Sequence, residues 1–207
     1  MRDLLQRSPV IPVLTIDDVA HAVPLAQALV AGGLTVLEVT LRTPAALACI
    51  RAMRSAVPDA IIGAGTVVNA GQYAAAVEAG SQFVVSPGCS PALIAASRAH
   101  GMPLLPGAVT PTEIIAALDA GIDTLKFFPA AQAGGAAMLQ ALSAPLPQVA
   151  FCPTGGITLA NALDYLALPN VLCVGMSSIV TKDRLAAGDF AAISAAAAAA
   201  AALRVRG

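Results

Sequence analysis

Phe83–Glu113 reads FVVSPGCSPALIAASRAHGMPLLPGAVTPTE and carries the punctuation of one complete structural unit. A short apolar run, Phe83–Pro87, leads through a small loop to Ser90-Pro91. That pair places a capping hydroxyl ahead of proline at a first helical position. An alanine-rich segment follows and stops at Gly101, a residue suited to the left-handed backbone that closes a helix. A second apolar run, Pro103–Ala108, comes next. It gives way to Thr110-Pro111-Thr112-Glu113, which repeats the start signal and adds the glutamate of a capping box.

The same order recurs along the chain. Apolar runs rich in Val, Ile or Leu lie at Val10–Ile16, Val36–Leu41, Ile61–Val67, Phe83–Pro87, Pro103–Ala108, Thr124–Pro129, Val149–Pro153 and Val171–Ser177. They are short, apolar on both faces and separated by helix-length segments, as strands covered on both sides of a parallel sheet are. Thr43-Pro44 offers one more helix start, and Gly32, Gly80 and Gly121 offer further helix ends. Eight βα units with no linker and no shift in composition predict a single domain, 1–207. The fold class expected is α/β, a single (β/α)8 TIM barrel near its lower length limit. A doubly wound open sheet is the alternative. The segment Asp183–Arg206, with alanine throughout Ala195–Ala202, reads as the outer helix of the eighth unit.

Composition narrows the function classes. The 207 residues are 57% hydrophobic and 11% charged, with a net charge of −1. That excludes a basic nucleic-acid face and a disordered chain. A mean hydropathy of +0.79 raises the question of a membrane. The longest uncharged run, Phe127–Leu163, is broken by Pro129, Pro145, Pro147, Pro153 and four glycines. A spanning helix needs about 20 continuous apolar residues. Met1–Ser8 carries Arg2, Asp3 and Arg7 and no signal-peptide core. The expectation is therefore a soluble, cytoplasmic protein with no membrane and no nucleic-acid partner. Its four cysteines form no CxxC pair and read as reduced, buried thiols.

Charge is scarce enough to be informative. Of two lysines, Lys182 sits beside Asp183 at a predicted turn. Lys126 sits inside the apolar run TLKFFP, where an ammonium group must be paired, solvated by a cavity or neutral. It is either half of a structural ion pair or an amine kept nucleophilic by desolvation, able to form a Schiff base. In VLEVTLRT, residues 38, 40 and 42 alternate, so Glu38, Thr40 and Arg42 share one strand face. Glu38 and Arg42 could pair with each other. Alternatively Glu38 carries protons and Arg42, at the strand's C-terminal end, clamps a carboxylate.

Gly63-Ala64-Gly65-Thr66 is not a dinucleotide fingerprint, because the third glycine would fall at Val68. It offers small residues and a hydroxyl where backbone can approach a ligand. Cys152-Pro153-Thr154-Gly155-Gly156-Ile157 ends the seventh run and Val174-Gly175-Met176-Ser177-Ser178 the eighth. These are two tight turns or, as loops after the last two strands of a barrel, a phosphate cradle. His21 and His100 are isolated, so no zinc site is expected. There is no P-loop, since neither lysine follows a glycine, and no GxSxG elbow.

Taken in order, His21–Thr43 (HAVPLAQALVAGGLTVLEVTLRT), Gly63–Val67 (GAGTV), Ser86–Gly88 (SPG), Lys126–Pro129 (KFFP), Cys152–Ile157 (CPTGGI) and Val171–Ser177 resemble the 2-keto-3-deoxy-6-phosphogluconate aldolases. These are the class I, Schiff-base aldolases of the Entner–Doudoroff pathway. The resemblance spans about Pro9 to Phe190. It implies that Lys126 forms the imine and Glu38 shuttles protons. Arg42 and Thr66 would hold the pyruvoyl carboxylate, and Thr154 would contact the hydroxylated middle of the substrate. Gly155, Gly156, Gly175 and Ser177 would take the phosphate, with Pro87 and Phe128 lining the pocket. It further implies a homotrimer without metal or other cofactor. The substrate implied is a phosphorylated 2-keto-3-deoxy sugar acid, with pyruvate as a product and 4-hydroxy-2-oxoglutarate as a second substrate. The sister galactonate enzyme, another phosphate-binding barrel and a non-catalytic barrel with an inert buried network are the competing readings.

Overall fold

The computed structural model describes residues 1–203. Its strands are β1 (Val10–Leu14), β2 (Val36–Thr40), β3 (Ile61–Gly65), β4 (Phe83–Val85), β5 (Leu104–Leu105), β6 (Thr124–Phe127), β7 (Ala150–Pro153) and β8 (Val174–Met176). A short helix, α1 (Arg2–Leu5), precedes them. Between them run α2 (Ala22–Ala31), α3 (Ala46–Ala56), α4 (Ala70–Glu78), α5 (Pro91–His100), α6 (Pro111–Asp119), α7 (Gly135–Ser143) and α8 (Ala162–Leu166). Two helices, α9 (Lys182–Ala186) and α10 (Phe190–Ala201), follow β8.

All eight apolar runs contain a strand, and each strand is shorter than its run. Proline accounts for several of the early ends, because it cannot donate to a ladder. β5 is held to two residues between Pro103 and Pro106, β4 stops before Pro87, and β6 stops before Phe128-Pro129.

The strands are parallel. Six form a sheet in the order β5-β4-β3-β2-β1-β8, and β6 pairs with β7. Single parallel bridges join Gly107 to Lys126, Phe151 to Val171 and Thr154 to Gly175. Within the large sheet, Glu38 stands opposite Val13 on one side and Gly63 on the other.

Local start and stop signals act largely as read. Ser90 accepts from Leu93 N–H, and Thr110 and Glu113 close a full capping box. Thr43 does not cap a helix: its hydroxyl donates to the Ile16 carbonyl at 2.6 Å, and α3 begins three residues later. Gly33 rather than Gly32 takes the left-handed backbone, at φ 89°. Gly32 lets α10 approach α2, since a Cβ there would lie 2.5 Å from the Ala197 methyl. The expected helix over 183–206 is broken at Gly188 (φ 65°), after which Asp189 caps α10. Residues 204–206 of that expected helix lie outside the described residues.

The core has two parts. One lies between strands and helices and takes in Leu25, Leu37, Ile50, Phe127, Phe151 and the buried face of α10, including Ile193 and Ala197. The other joins Ile11, Val36, Phe83, Val85, Leu105, Cys152 and Cys173 with Leu5. Leu5 is fully buried, so α1 closes the strand N-terminal end. Arg2 anchors it there, donating to the Gln148 carbonyl at 2.8 Å and to Asp123 at 3.3 Å. The four cysteines are free thiols. Among the described residues, no helix is long and apolar enough to cross a membrane.

Candidate active site

β2 and β6 bring together two charges that are 88 residues apart. Lys126 Nζ donates to Glu38 Oε1 at 3.3 Å, and both side chains are 4% exposed. Neither charge would be tolerated at that depth alone. The ammonium nitrogen also lies 5.3 Å from the ring centroid of Phe128, within reach of a cation–π contact. The backbone of Lys126 is held on both edges. It donates to Pro106 O and accepts from Ala108 N–H, while β7 pairs on its other side through Cys152.

The space for Glu38 comes from Gly65. A Cβ at Gly65 would run into the Glu38 carboxyl. The Gly63-Ala64-Gly65 signal thus serves an internal side chain first: Gly63 clears the Phe83 ring and Gly65 clears Glu38.

Arg42 does not pair with Glu38. Its Nε donates to Thr66 Oγ1 at 3.0 Å, and its two terminal amino groups have no protein partner among the described residues. Thr66 has φ 59°, the positive-φ exception among non-glycine residues described. A β-branched residue in the left-handed region is strained. Here the strain aims a hydroxyl at the exposed guanidinium, so the pair stands ready for a carboxylate.

β7 and β8 end side by side at the Thr154–Gly175 bridge. Thr154 Oγ1 fills the space a Cβ on Gly175 would need. Gly155 and Gly156 both have positive φ, 102° and 74°. The carbonyls of Thr154, Gly155 and Gly156 are occupied by Ala130, Ala131 and Asn161. The N–H groups of Gly156 and Ser177 have no protein acceptor among the described residues. Free amides on two adjoining loops can hold an anion between them. Ser177 and Pro87 stand exposed past the ends of β8 and β4, and Phe128 is half-buried. A cavity of about 470 Å³ lies at the other end of the strands, lined by Arg7, Ser8 and Leu172, and touches none of these groups. No group of three or more potential metal ligands occurs among the described residues.

Residues 1–196 match the family model of KDPG and KHG aldolase. The chain belongs to the KDPG and KHG aldolase family. It is 51% identical over 187 residues to the KHG/KDPG aldolase of Escherichia coli K12, covering 90% of this chain and 88% of that protein. The KDPG aldolase of Legionella pneumophila, solved with pyruvate captured at low pH as a covalent carbinolamine, superimposes with a TM-score of 0.95. It is 45% identical, and the match covers 97% of this chain and 98% of that one. The 2-keto-3-deoxy-6-phosphogluconate aldolase of Zymomonas mobilis ZM4, solved with 3-phosphoglycerate, gives a TM-score of 0.93 at 47% identity over 98% and 95%.

A pair of hydroxyls joins β1 to β2. Thr40, on the same strand face as Glu38, is fully buried and meets Thr15 Oγ1 at 3.1 Å. The alternation in VLEVTLRT marks Thr40 as inward-facing; nothing local marks Thr15 as its partner.

Proposed function

We propose that this chain is a class I aldolase. It cleaves 2-dehydro-3-deoxy-6-phosphogluconate to pyruvate and glyceraldehyde 3-phosphate, and also accepts 4-hydroxy-2-oxoglutarate. The observation that carries the reading is Lys126, an almost wholly buried amine held 3.3 Å from an equally buried carboxylate. A carbinolamine with pyruvate in the Legionella relative requires a protein amine, and Lys182, the other lysine, is exposed.

Passing the Lys126 proton to Glu38 leaves a neutral amine, the nucleophilic form. Lys126 Nζ attacks the C2 ketone to give a carbinolamine, which loses water to an iminium. A base then takes the C4 hydroxyl proton. Glu38, returned to its carboxylate, is placed for this directly or through a water. The C3–C4 bond breaks, its electron pair moves into the iminium as an enamine, and the aldehyde leaves. The proton returns to C3, and water hydrolyses the imine to free pyruvate and Lys126. The iminium is the electron sink, so the route calls on no metal.

Arg42 with Thr66 holds the pyruvoyl carboxylate, and Thr154 contacts the hydroxylated middle. The amides of Gly155 and Gly156, with Gly175 and Ser177, receive the phosphate. Pro87 and Phe128 wall the pocket. The free N–H groups and the unpaired guanidinium ends support these assignments. The bridges at Gly107–Lys126 and Thr154–Gly175 support closure of the two sheets into one (β/α)8 barrel forming a single domain, 1–207. Exposed Val68, Ile115, Leu159 and Leu163 fit a self-associating surface, in keeping with a cytoplasmic homotrimer.

The test is to incubate the protein with pyruvate, reduce with borohydride and map the mass increment. An increment at Lys126, abolished in a folded Lys126→Ala variant, is expected. Folded, intact protein that acquires no increment overturns the reading. Turnover of the two C4 epimers then separates the gluconate from the galactonate substrate.

A further inference from the structure

The Thr40 hydroxyl donates to the Leu14 carbonyl at 2.8 Å. A hydroxyl has one proton, so its 3.1 Å contact with Thr15 runs the other way: Thr15 donates and Thr40 accepts. The proton of Thr15 is therefore committed, and the half-buried Thr15 hydroxyl has only lone pairs left to offer.

Its place in the sheet gives those lone pairs a use. β1 lies between β2, which carries Glu38, and β8, which leads to Ser177. Val13 is level with Glu38, so Thr15 stands two residues, about 7 Å, further toward the strand C-terminal ends. Thr15 thus stands near the C-terminal end of the strand that separates the Glu38 strand from the one leading to Ser177. Thr15 also borders a cleft of about 120 Å³ with Asp17, Asp18, His21 and Lys182. A carboxylate has no proton to give an acceptor-only hydroxyl, whereas an alcohol does.

We propose that Thr15 is a specificity-determining residue whose hydroxyl accepts a hydrogen bond from a substrate alcohol beyond the bond that breaks. The proposal rests on the aldolase reading above. The six-carbon phosphorylated acid carries such an alcohol on C5, where 4-hydroxy-2-oxoglutarate has a carboxylate.

The experiment compares wild type, Thr15→Val and Thr15→Ser on both substrates, with pyruvate trapping run on the same preparations. In Thr15→Val, KM for the six-carbon substrate rises roughly five- to tenfold, the loss of one neutral hydrogen bond. Its KM for 4-hydroxy-2-oxoglutarate and its trapping stay at wild-type values, and Thr15→Ser restores the first KM. With trapping intact, an equal KM rise on both substrates, or none on either, overturns the Thr15 assignment alone. Wild-type protein that traps no pyruvate and cleaves neither substrate overturns the aldolase reading, and the Thr15 role with it.

Discussion

The carboxyl of Glu38 occupies the space that a side chain on Gly65 would need. Two neighbouring strands thus divide one task, β2 supplying the acid and β3 supplying the room for it. Gly65→Ala is expected to push the carboxyl off Lys126 while leaving the amine in place. Borohydride trapping of pyruvate should still map to Lys126 but slow, because Glu38 no longer takes the Lys126 proton. Cleavage should fall by about a hundredfold or more, the loss of a positioned proton carrier. Wild-type kcat in folded Gly65→Ala would show that Glu38 works from more than one position.

Thr66 exchanges stability for aim. Holding it at φ 59° costs about 1–2 kcal/mol, part of which glycine would return to its own larger unfolded-state entropy. Thr66→Gly should leave stability unchanged or raise it by up to about 1 kcal/mol, measured by denaturant unfolding. KM for pyruvate-derived substrates should rise, because Arg42 loses the acceptor at 3.0 Å that orients its guanidinium. A destabilised variant with unchanged KM would contradict both halves.

Gly156 has φ 74°, and a Cβ there would lie 2.6 Å from the Ala131 methyl. Gly156→Ala should therefore displace the loop proposed to receive the phosphate. We expect KM for the phosphorylated substrate to rise about tenfold, on the order of one charge-assisted hydrogen bond. Trapping of pyruvate, which has no phosphate, should be untouched. Equal losses with and without phosphate would place the phosphate elsewhere.

Glu113 gives a pH-dependent handle on the scaffold. The N–H groups of Thr110 and Val109 hold its carboxyl below the usual carboxylate value. A group lowered on folding stabilises the fold fully above its unfolded value, near ~4.3, and loses that contribution as pH falls through the lower folded value. At pH 7, Glu113→Gln should melt roughly 2 °C below wild type. That gap should close as the pH is taken down through the acidic range. A gap that persists in acid would mean the capping geometry, not the charge, carries the effect.

Much of this protein is legible without coordinates because its signals are local. A proline at N1, a capping hydroxyl or a glutamate three residues on acts within one turn, so Ser90 and Thr110 behave in the fold as they read in the sequence. The eight apolar runs are likewise local statements about two-sided burial, and each contains a strand. Lys126 stands out because charge is so rare in this chain. Where a signal has two readings the sequence leaves both open. Thr43 looks like a cap and instead bonds Ile16, and Gly32 looks like a helix end and instead admits α10.

What only the tertiary structure decided is which distant group each candidate meets. Alternation put Glu38 and Arg42 on one face of β2. It could not say that Glu38 would turn to Lys126, Arg42 to Thr66, and Thr40 to Thr15. Those choices depend on the register of parallel strands joined through long crossovers. That register is set by how the strands pack together, because no single strand can pair its own buried charge or its inward-facing hydroxyl.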